Sequence, residues 1–579
     1  MKALTIFQRF SPLLHFILLG CVFEVLYLLV FALAPLSTTH PILSPSGMDW
    51  PWTLAPAQLL FHRASSLHGR YTDLAPYFFL LGLIFITLAG VYFYTVGKTF
   101  RTSNNIHITF RWLLLPLLGA TIFGITLLLL PALFSNEVYS YMFSGRMLTI
   151  YHVDPLIAVP AQFQQDPYLR WIAQPNVATI YAPLWMAIAS LLVGVGHSPV
   201  TTLLLFKGAA LLSHLINCVL IWAILGKLAP SRRVGGTLLY AWNPLALIEL
   251  AGNGHNDGAL ICLLLFITWL YVQQKGGWYD FWAVVLLGLA ISVNFIALLF
   301  APLFIWFSVH SEPGLNKSRV RQGSKGRPPL GRAWGVPTFP LFPSGGRGSE
   351  ALSQNLDSGQ NLVHAIWGFC WRAIVALTIV FILYLPFWHG TSTFLAITSS
   401  IDMQHFVHSP LGVLAMPVRW LFGLLVQGMN LPTTISSYYL QPTSAADTAV
   451  SAAAMFIFAL IYFYLLGKVR SFDTLLTSLC LVTLGYIVFI SGQFWPWYVL
   501  WTLWIVALRR FDALTVSVLL LSCTALLTYP LLFVDNFPIA SYQPLLIFGI
   551  PLIYLITHVK RSNERKTLPY DRRSETAKN

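Results

Sequence analysis

The segment that decides the fold is residues 111–141, RWLLLPLLGATIFGITLLLLPALFSNEVYSY. It begins with Arg111, continues to residue 134 without another charge, and ends in a polar stretch that contains Glu137. An apolar run of about 20 residues is long enough to cross the hydrocarbon core of a bilayer. The segment therefore predicts a membrane-spanning helix that delivers a carboxylate to one membrane surface.

The rest of the chain of 579 residues has the same character. Hydrophobic residues make up 57%, charged residues only 9%, and the mean hydropathy is +0.70. Soluble domains carry about 25% charged residues, so this chain cannot cover a water-facing surface of its own size. Its composition excludes a soluble multidomain enzyme, a disordered protein and a nucleic-acid-binding module. It predicts an all-α polytopic protein in a lipid bilayer.

Twelve apolar stretches are predicted to cross the membrane. They lie near residues 12–35, 76–97, 111–134, 201–225, 237–251, 258–274, 364–387, 448–467, 474–492, 497–508, 513–533 and 543–558. The first is interpreted as a retained helix, because its apolar core is too long for a signal peptide. Three other apolar pieces are predicted to be re-entrant or juxtamembrane half-helices: 183–196, 281–309 and 411–428.

The basic residues test this topology. If both termini face the cytoplasm, 27 of the 34 Lys and Arg residues lie on the cytoplasmic side. This is the positive-inside pattern of multi-pass proteins, here predicted for the plasma membrane. It accounts for nearly all of the net charge of +14, so the charge excess indicates topology and no nucleic-acid partner.

The composition also predicts the domain organisation. Residues 310–363 are rich in Gly, Pro, Ser, Lys and Arg, so they cannot bury enough apolar surface to fold alone. They are predicted to form a flexible cytoplasmic linker between membrane halves at 1–309 and 364–558, and 559–579 a basic tail. The six cysteines form no C-x-x-C pair, which favours core packing over disulfides or zinc.

Most of the unusual polar residues fall in four segments on the predicted outer side. These are the catalytic outer loop 135–182 and the segments 252–257, 389–410 and 493–498. Charged groups next to hydrocarbon are costly, so in a chain with so few charges they indicate a pathway or a site. No Gly-rich phosphate loop or nucleotide-binding fingerprint occurs, which leaves ATP-driven transport without support.

Residue chemistry indicates a role for several of these side chains. Glu137 can act as a general base toward a hydroxyl group. Arg146, with its planar fork, and His255 are candidates to bind phosphate. The candidates for binding the rest of the substrate are Tyr139, Tyr141, Asp154, Asn256, Asp257, His408 and Trp497.

Plainer interpretations stay open for the same residues. Glu137 could be a hydrated interfacial carboxylate, and Arg146 and Trp497 could be interface anchors. Asn256 or Asp257 could simply cap a helix. A divalent metal on Glu137 or Asp257 is compatible with the residue types, but the pattern is not specific for a metal, and no cofactor is predicted with certainty.

In this order the motifs resemble the GT-C superfamily of membrane glycosyltransferases. Within it they are similar to the bacterial polyprenol-phosphate-mannose-dependent α-1,6-mannosyltransferases. The resemblance in layout covers roughly residues 70–560, and Glu137 stands where the family usually has Asp. The motifs that carry it are 135–141 with Gly145-Arg146 and Asp154-Pro155, Asn243-Pro244 through Glu249 to His255-Asn256-Asp257, and 494–498.

The resemblance implies a function in cell-envelope biogenesis. A sugar, expected to be mannose, would move from a polyprenyl-phosphate donor to a glycan or glycolipid acceptor on the extracytoplasmic side. Glu137 would deprotonate the acceptor, the configuration would invert, and Arg146 with His255 would stabilise the departing phosphate. The alternatives are a transporter of lipid-linked sugar or small solutes, and a non-catalytic assembly protein.

Overall fold

The computed structural model describes most of the chain. Within the described ranges the secondary structure is helical, apart from one isolated β-bridge between Val407 and Gln493. The described residues are 12–33, 71–102, 111–130, 134–179, 181–273, 277–311, 348–391, 393, 406–428, 442–531 and 542–567.

The helices of the N-terminal part run from α1 to α11. A π-helical turn, Ile248–Gly252, follows α8. The bounds are α1 Pro12–Leu33, α2 Tyr71–Thr102, α3 Arg111–Leu128, α4 Glu137–Thr149, α5 Pro183–Val195, α6 Pro199–Leu228, α7 Arg233–Ala241, α8 Pro244–Leu247, α9 Asp257–Gln273, α10 Gly277–Ile291 and α11 Ala297–Ser311.

Eight further helices complete the described part. Their bounds are α12 Gly348–Tyr384, α13 Pro410–Gly428, α14 Pro442–Lys468, α15 Phe472–Phe489, α16 Leu500–Leu508, α17 Ala513–Ala525, α18 Thr528–Leu531 and α19 Gln543–Thr567.

Seven stretches of the described chain are long and apolar enough to cross a membrane, and an eighth results if one bent helix pair counts as a single span. This confirms an all-helical, multi-pass protein. The total of twelve crossings and the cytoplasmic termini stay predictions. The candidate spans are 14–33, 78–101, 199–228, 363–387, 445–468, 472–489 and 513–531.

The structure differs from the sequence prediction at 237–251 and 258–274, which were expected to be two separate crossings. The helices on either side of residue 255 instead form a broken pair bent by 118°. Proline cannot continue a helix from the preceding turn, so α7 ends before Pro244, and Asn243 caps the new helix through the backbone N–H of Ala246. Gly254, with φ +76°, supplies the left-handed residue of the turn before α9.

Two short helices lie side by side and run in the same direction, within what was predicted as the outer loop and the first half-helix. Helices α4 and α5 have 13 residues each, about 20 Å at 1.5 Å per residue, which is too short to span a bilayer. Gly145 lets them approach closely, because a Cβ there would lie 2.6 Å from the carbonyl oxygen of Ala189. Glu137 is the first residue of α4, whereas the sequence predicted it at the end of the preceding membrane-spanning helix.

The predicted piece 281–309 consists of the two 15-residue helices α10 and α11. The turn between them meets the start of α5, where the backbone N–H of Leu184 donates to the carbonyl of Ser292 at 2.8 Å. Residues 312–347 of the predicted linker lie outside the described residues. Helix α12 begins at Gly348, inside the stretch predicted as linker, and α19 extends to Thr567, inside the predicted tail.

Candidate active site

Glu137 is the first residue of α4 and is held by Tyr181, which lies just before the start of α5. The Tyr181 hydroxyl donates a short hydrogen bond to Glu137 Oε2, and the backbone N–H of Glu137 donates to Ser135 Oγ at 3.3 Å. Burial raises the pKa of the Glu137 carboxyl, and the hydrogen bond from Tyr181 partly opposes that rise. A half-buried carboxylate with a raised pKa is well suited to accept a proton near neutral pH.

Tyr141 connects this carboxylate to a second polar segment. Residues four apart share one face of a helix, so Tyr141 lies on the same side of α4 as Glu137. Its ring meets the Tyr181 ring edge-on at 4.7 Å between centroids. Its hydroxyl donates a long hydrogen bond, 3.5 Å, to Asn256 Oδ1. The structure thus brings the outer-loop motif and the His255-Asn256-Asp257 motif together.

His255 lies between two buried carboxylates. Its Nε2 is 3.4 Å from Glu249 Oε2, and its Nδ1 is 3.9 Å from Asp257 Oδ2. The imidazole is 1% exposed and stacks on Trp497 with 4.3 Å between ring centroids. Because both ring nitrogens face carboxylates, the position of His255 favours a structural role over binding of a donor phosphate.

Residues far away in the chain satisfy these carboxylates. The Trp501 indole N–H donates to Asp257 Oδ1 at 2.6 Å, and the Tyr529 hydroxyl donates to Glu249 Oε1 at 2.5 Å. Asn253 also donates to Glu249, at 2.8 Å. The sequence prediction named neither Trp501 nor Tyr529 as site residues, and no local motif around either one marks it as such.

Trp497 and His408 belong to a series of packed rings at the edge of this cluster. The rings of Trp495 and Trp497 are nearly parallel, with centroids 5.3 Å apart, and His408 meets Trp495 edge-on at 5.7 Å. The backbone supports the contact, since the N–H of Phe494 donates to the carbonyl of Val407 at 2.9 Å. The predicted third and fourth outer segments therefore meet beside the first two.

Arg146 lies apart from Glu137. Nine residues at 100° each place the two on opposite faces of α4. The Arg146 guanidinium donates twice to Asp166 Oδ2, at 2.9 and 2.8 Å, and stacks on the Tyr168 ring at 4.0 Å. Its two best-placed donors are therefore used within the loop. Its predicted role in binding donor phosphate stays a prediction that this geometry does not favour.

Two other predicted substrate ligands serve the loop in this structure. Tyr139 is 2% exposed and packs against Trp171, 5.7 Å between ring centroids. Asp154 accepts from the backbone N–H of Leu156 at 2.9 Å and approaches His389 Nε2 at 3.3 Å. Burial raises the pKa of the Asp154 carboxyl, and the nearby histidine opposes that rise.

An apolar groove opens near the Glu137 cluster. Its volume is about 280 Å³, and a buried cluster that includes Met186, Leu156 and Tyr384 connects it to Tyr181. Tyr384 lines the groove, and its hydroxyl is buried with no hydrogen-bond partner among the described residues. The lining residues are Phe295, Leu377, Val380, Phe381, Tyr384, Leu385 and Trp388.

Comparison with known protein families agrees with this geometry. Residues 51–310 match the N-terminal domain of the alpha-(1->6)-mannopyranosyltransferase family. The match confirms the predicted resemblance to GT-C mannosyltransferases and indicates an α-1,6-mannosyltransferase. A comparison with curated proteins gave no match.

The matched segment, residues 51–310, carries the centre of the candidate site. Glu137, Tyr181 and the turn with His255 all lie inside the matched residues, whereas Trp497 and Trp501 come from beyond them. Within the described parts of the chain, no group of three His, Cys, Asp or Glu side chains is placed to hold a metal ion.

Proposed function

We propose that this mannosyltransferase moves mannose from a polyprenyl-phosphate donor to a glycan or glycolipid acceptor, with Glu137 as the general base. The observation that carries the proposal is the pairing of Glu137 with Tyr181 on the helix face from which the Tyr141 hydroxyl reaches Asn256. A base that is half-buried, fixed by one donor and close to other hydrogen-bonding side chains meets the geometric requirement for activating a hydroxyl group.

The reaction follows from that geometry. Glu137 accepts the proton of the acceptor hydroxyl, and the oxygen forms a bond to the anomeric carbon of the donor sugar. The bond from that carbon to the phosphate oxygen breaks on the opposite face, so the configuration inverts and polyprenyl phosphate leaves. A positioned general base contributes about 10²–10⁴-fold to such a rate.

The neighbouring side chains provide the binding functions. Asn256 and Asp257 can hydrogen-bond sugar hydroxyls, and the Tyr141 hydroxyl lies between them and the base. Trp495, with His408 at its edge, offers an aromatic surface at the margin of the cluster, while one ring contact of Trp497 is already taken by His255. This supports sugar binding at the Trp495 end of the ring series.

The apolar groove supports a lipid-linked donor. Its lining is almost entirely hydrocarbon and aromatic, as the prenyl chain of such a donor requires, and its connection to Tyr181 leads toward Glu137. The unpaired Tyr384 hydroxyl gives the groove one hydrogen-bond donor. His389, half exposed and next to Trp388 in sequence, can bind a phosphate at the same end. We favour these two over Arg146 and His255 as phosphate ligands.

The distribution of basic residues supports an extracytoplasmic site. Lys227 lies 20 residues beyond Lys207 on α6, a distance of about 30 Å along a helix, and Lys207 contacts the segment before Glu137. Arg233 adjoins this far end, with its Nε donating to the carbonyl of Trp222 at 2.9 Å. Basic residues mark the cytoplasmic side, so the Glu137 end is the opposite one.

The test uses the purified protein in nanodiscs with a mannosyl polyprenyl phosphate donor and a mannose-terminated glycolipid acceptor. Replacing Glu137 by Gln keeps the shape but removes the base, so transfer measured by mass spectrometry should fall by about 10²–10⁴-fold. Glu24→Gln is the matched control, since Glu24 also accepts a short hydrogen bond from a hydroxyl, that of Thr126 at 2.5 Å, and should leave transfer unchanged.

Three outcomes would contradict the proposal. If Glu137→Gln turns over at the wild-type rate, Glu137 is not the general base. Transfer from a soluble sugar nucleotide, with none from the lipid-linked donor, refutes the donor class. Movement of the labelled donor across sealed vesicles without a new glycosidic bond makes the protein a transporter.

A further inference from the structure

Lys207 is a fully buried cation beside the candidate site. It lies in the third turn of α6, its relative exposure is 0%, and the sequence around it is apolar. A lysine in such a position is expensive, and in membrane proteins the cost is usually met for a functional reason. Neither the proposed reaction nor the predicted ligand set uses it.

The ammonium group of Lys207 binds the end of α3. Nζ donates to the carbonyl of Leu127 at 3.2 Å and, through a shorter bond, to the carbonyl of Leu130. The last carbonyls of a helix have no partner within the helix and carry its negative dipole end, which a cation stabilises. Lys207 therefore fixes the point from which the chain leads to Glu137.

The stem of the same side chain packs against the turn that presents His255 and Asn256. A Cβ at Gly254 would lie 3.2 Å from Lys207 Cγ and 3.2 Å from Val138 Cγ2. The glycine is thus enclosed between Lys207 and the residue that follows Glu137. A further hydrogen bond, from the backbone N–H of Phe134 to Asn253 Oδ1 at 3.2 Å, joins the same two segments.

From these contacts we infer that Lys207 is a positioning residue that sets Glu137 relative to Asn256 and Asp257. Its amino group binds the carbonyls at the end of α3, ahead of Glu137, and its aliphatic stem packs against the turn that precedes Asn256 and Asp257. This inference rests on the proposed function. A shift of about 1 Å between base and substrate can cost about 10²-fold in rate, so the contact has a measurable consequence.

The test compares Lys207→Met, which keeps the length of the side chain and removes its donors, with Lys207→Arg, which keeps donors. In nanodiscs, kcat of Lys207→Met should fall by about 10²-fold, with the KM values of donor and acceptor unchanged, and Lys207→Arg should recover part of the loss. Arg233→Met is the matched control, because Arg233 also donates to a backbone carbonyl of α6 but at the far end, and its kcat should stay at the wild-type value.

Gly254→Asn addresses the same contact from the other side if Lys207→Met does not fold. Asparagine tolerates a positive φ, so the added Cβ presses on Lys207 and Val138 with little backbone strain, and kcat should again fall at constant KM. Wild-type kcat in the folded variants, a change confined to KM, or a Lys207→Arg protein no better than Lys207→Met would overturn the inference. Activity of Glu137→Gln would instead refute the proposed function itself.

Discussion

The close approach of α4 and α5 makes Gly145→Ala an informative perturbation. A Cβ at Gly145 would lie 2.6 Å from the carbonyl oxygen of Ala189 and 2.8 Å from Val193 Cγ2, whereas an ordinary contact begins at 3.4 Å. The first of these contacts is backbone, which cannot rotate away. The helices must therefore separate locally by about 0.8 Å, the difference between 3.4 and 2.6 Å.

That separation acts on the site because Glu137 is the first residue of α4 and Tyr181 lies just before α5. Overpacking of this kind costs about 1–3 kcal/mol of stability, and a displacement close to 1 Å can lower the rate by up to about 10²-fold. We expect Gly145→Ala to lower both the thermal midpoint and kcat in the nanodisc transfer assay.

The same pair of helices, α4 and α5, supplies the control for this experiment. A Cβ at Gly194, also in α5, would meet only Thr149 Cγ2, at 4.0 Å, which is an ordinary contact. Gly194→Ala should therefore keep wild-type kcat and stability. The reasoning is refuted if Gly145→Ala is as active and as stable as the wild type, or if the two alanine variants lose activity equally.

Two further predictions concern the outer loop. Tyr181→Phe removes a hydrogen bond that lowers the pKa of Glu137, so the carboxyl will need a higher pH to ionise. The acid limb of the kcat profile should move to higher pH, and an unmoved or oppositely shifted limb would exclude this pairing. Arg146→Lys loses the two-pronged bond to Asp166, so it should lower the stability by about 1–3 kcal/mol at unchanged donor KM. A raised donor KM with wild-type thermal stability would contradict this and show that Arg146 binds the donor phosphate.

The membrane architecture could be predicted from the sequence because it depends on local hydropathy. Runs such as 14–33 and 199–228 are apolar over the thickness of a bilayer, and they are helices of that length in the structure. The break at Asn243-Pro244 within 237–251 was not predicted, because a window of hydropathy does not register it. The sequence also did not show α4, since the polar residues after Glu137 resemble a loop in composition.

The candidate site could be predicted only in part. The types of Glu137, Asn256 and Asp257 suggested chemistry, but sequence alone could not show that Tyr141 joins their two segments. Their supporting partners are the reason, because Trp501 is 244 positions from Asp257 and no local pattern spans such a distance. The same limitation explains Arg146, whose residue type suited phosphate until Asp166 was seen beside it.

The buried polar groups of the matched domain are completed from outside it. Asn243 donates to Ser522 Oγ at 3.0 Å, Asp257 accepts from Trp501, and Glu249 accepts from Tyr529. A fragment that stops near residue 310 would take one hydrogen-bond partner away from each of these three buried groups. The family's domain boundary is thus no place to cut this protein, and chimaeras that exchange C-terminal halves must carry these three donors and acceptors with them.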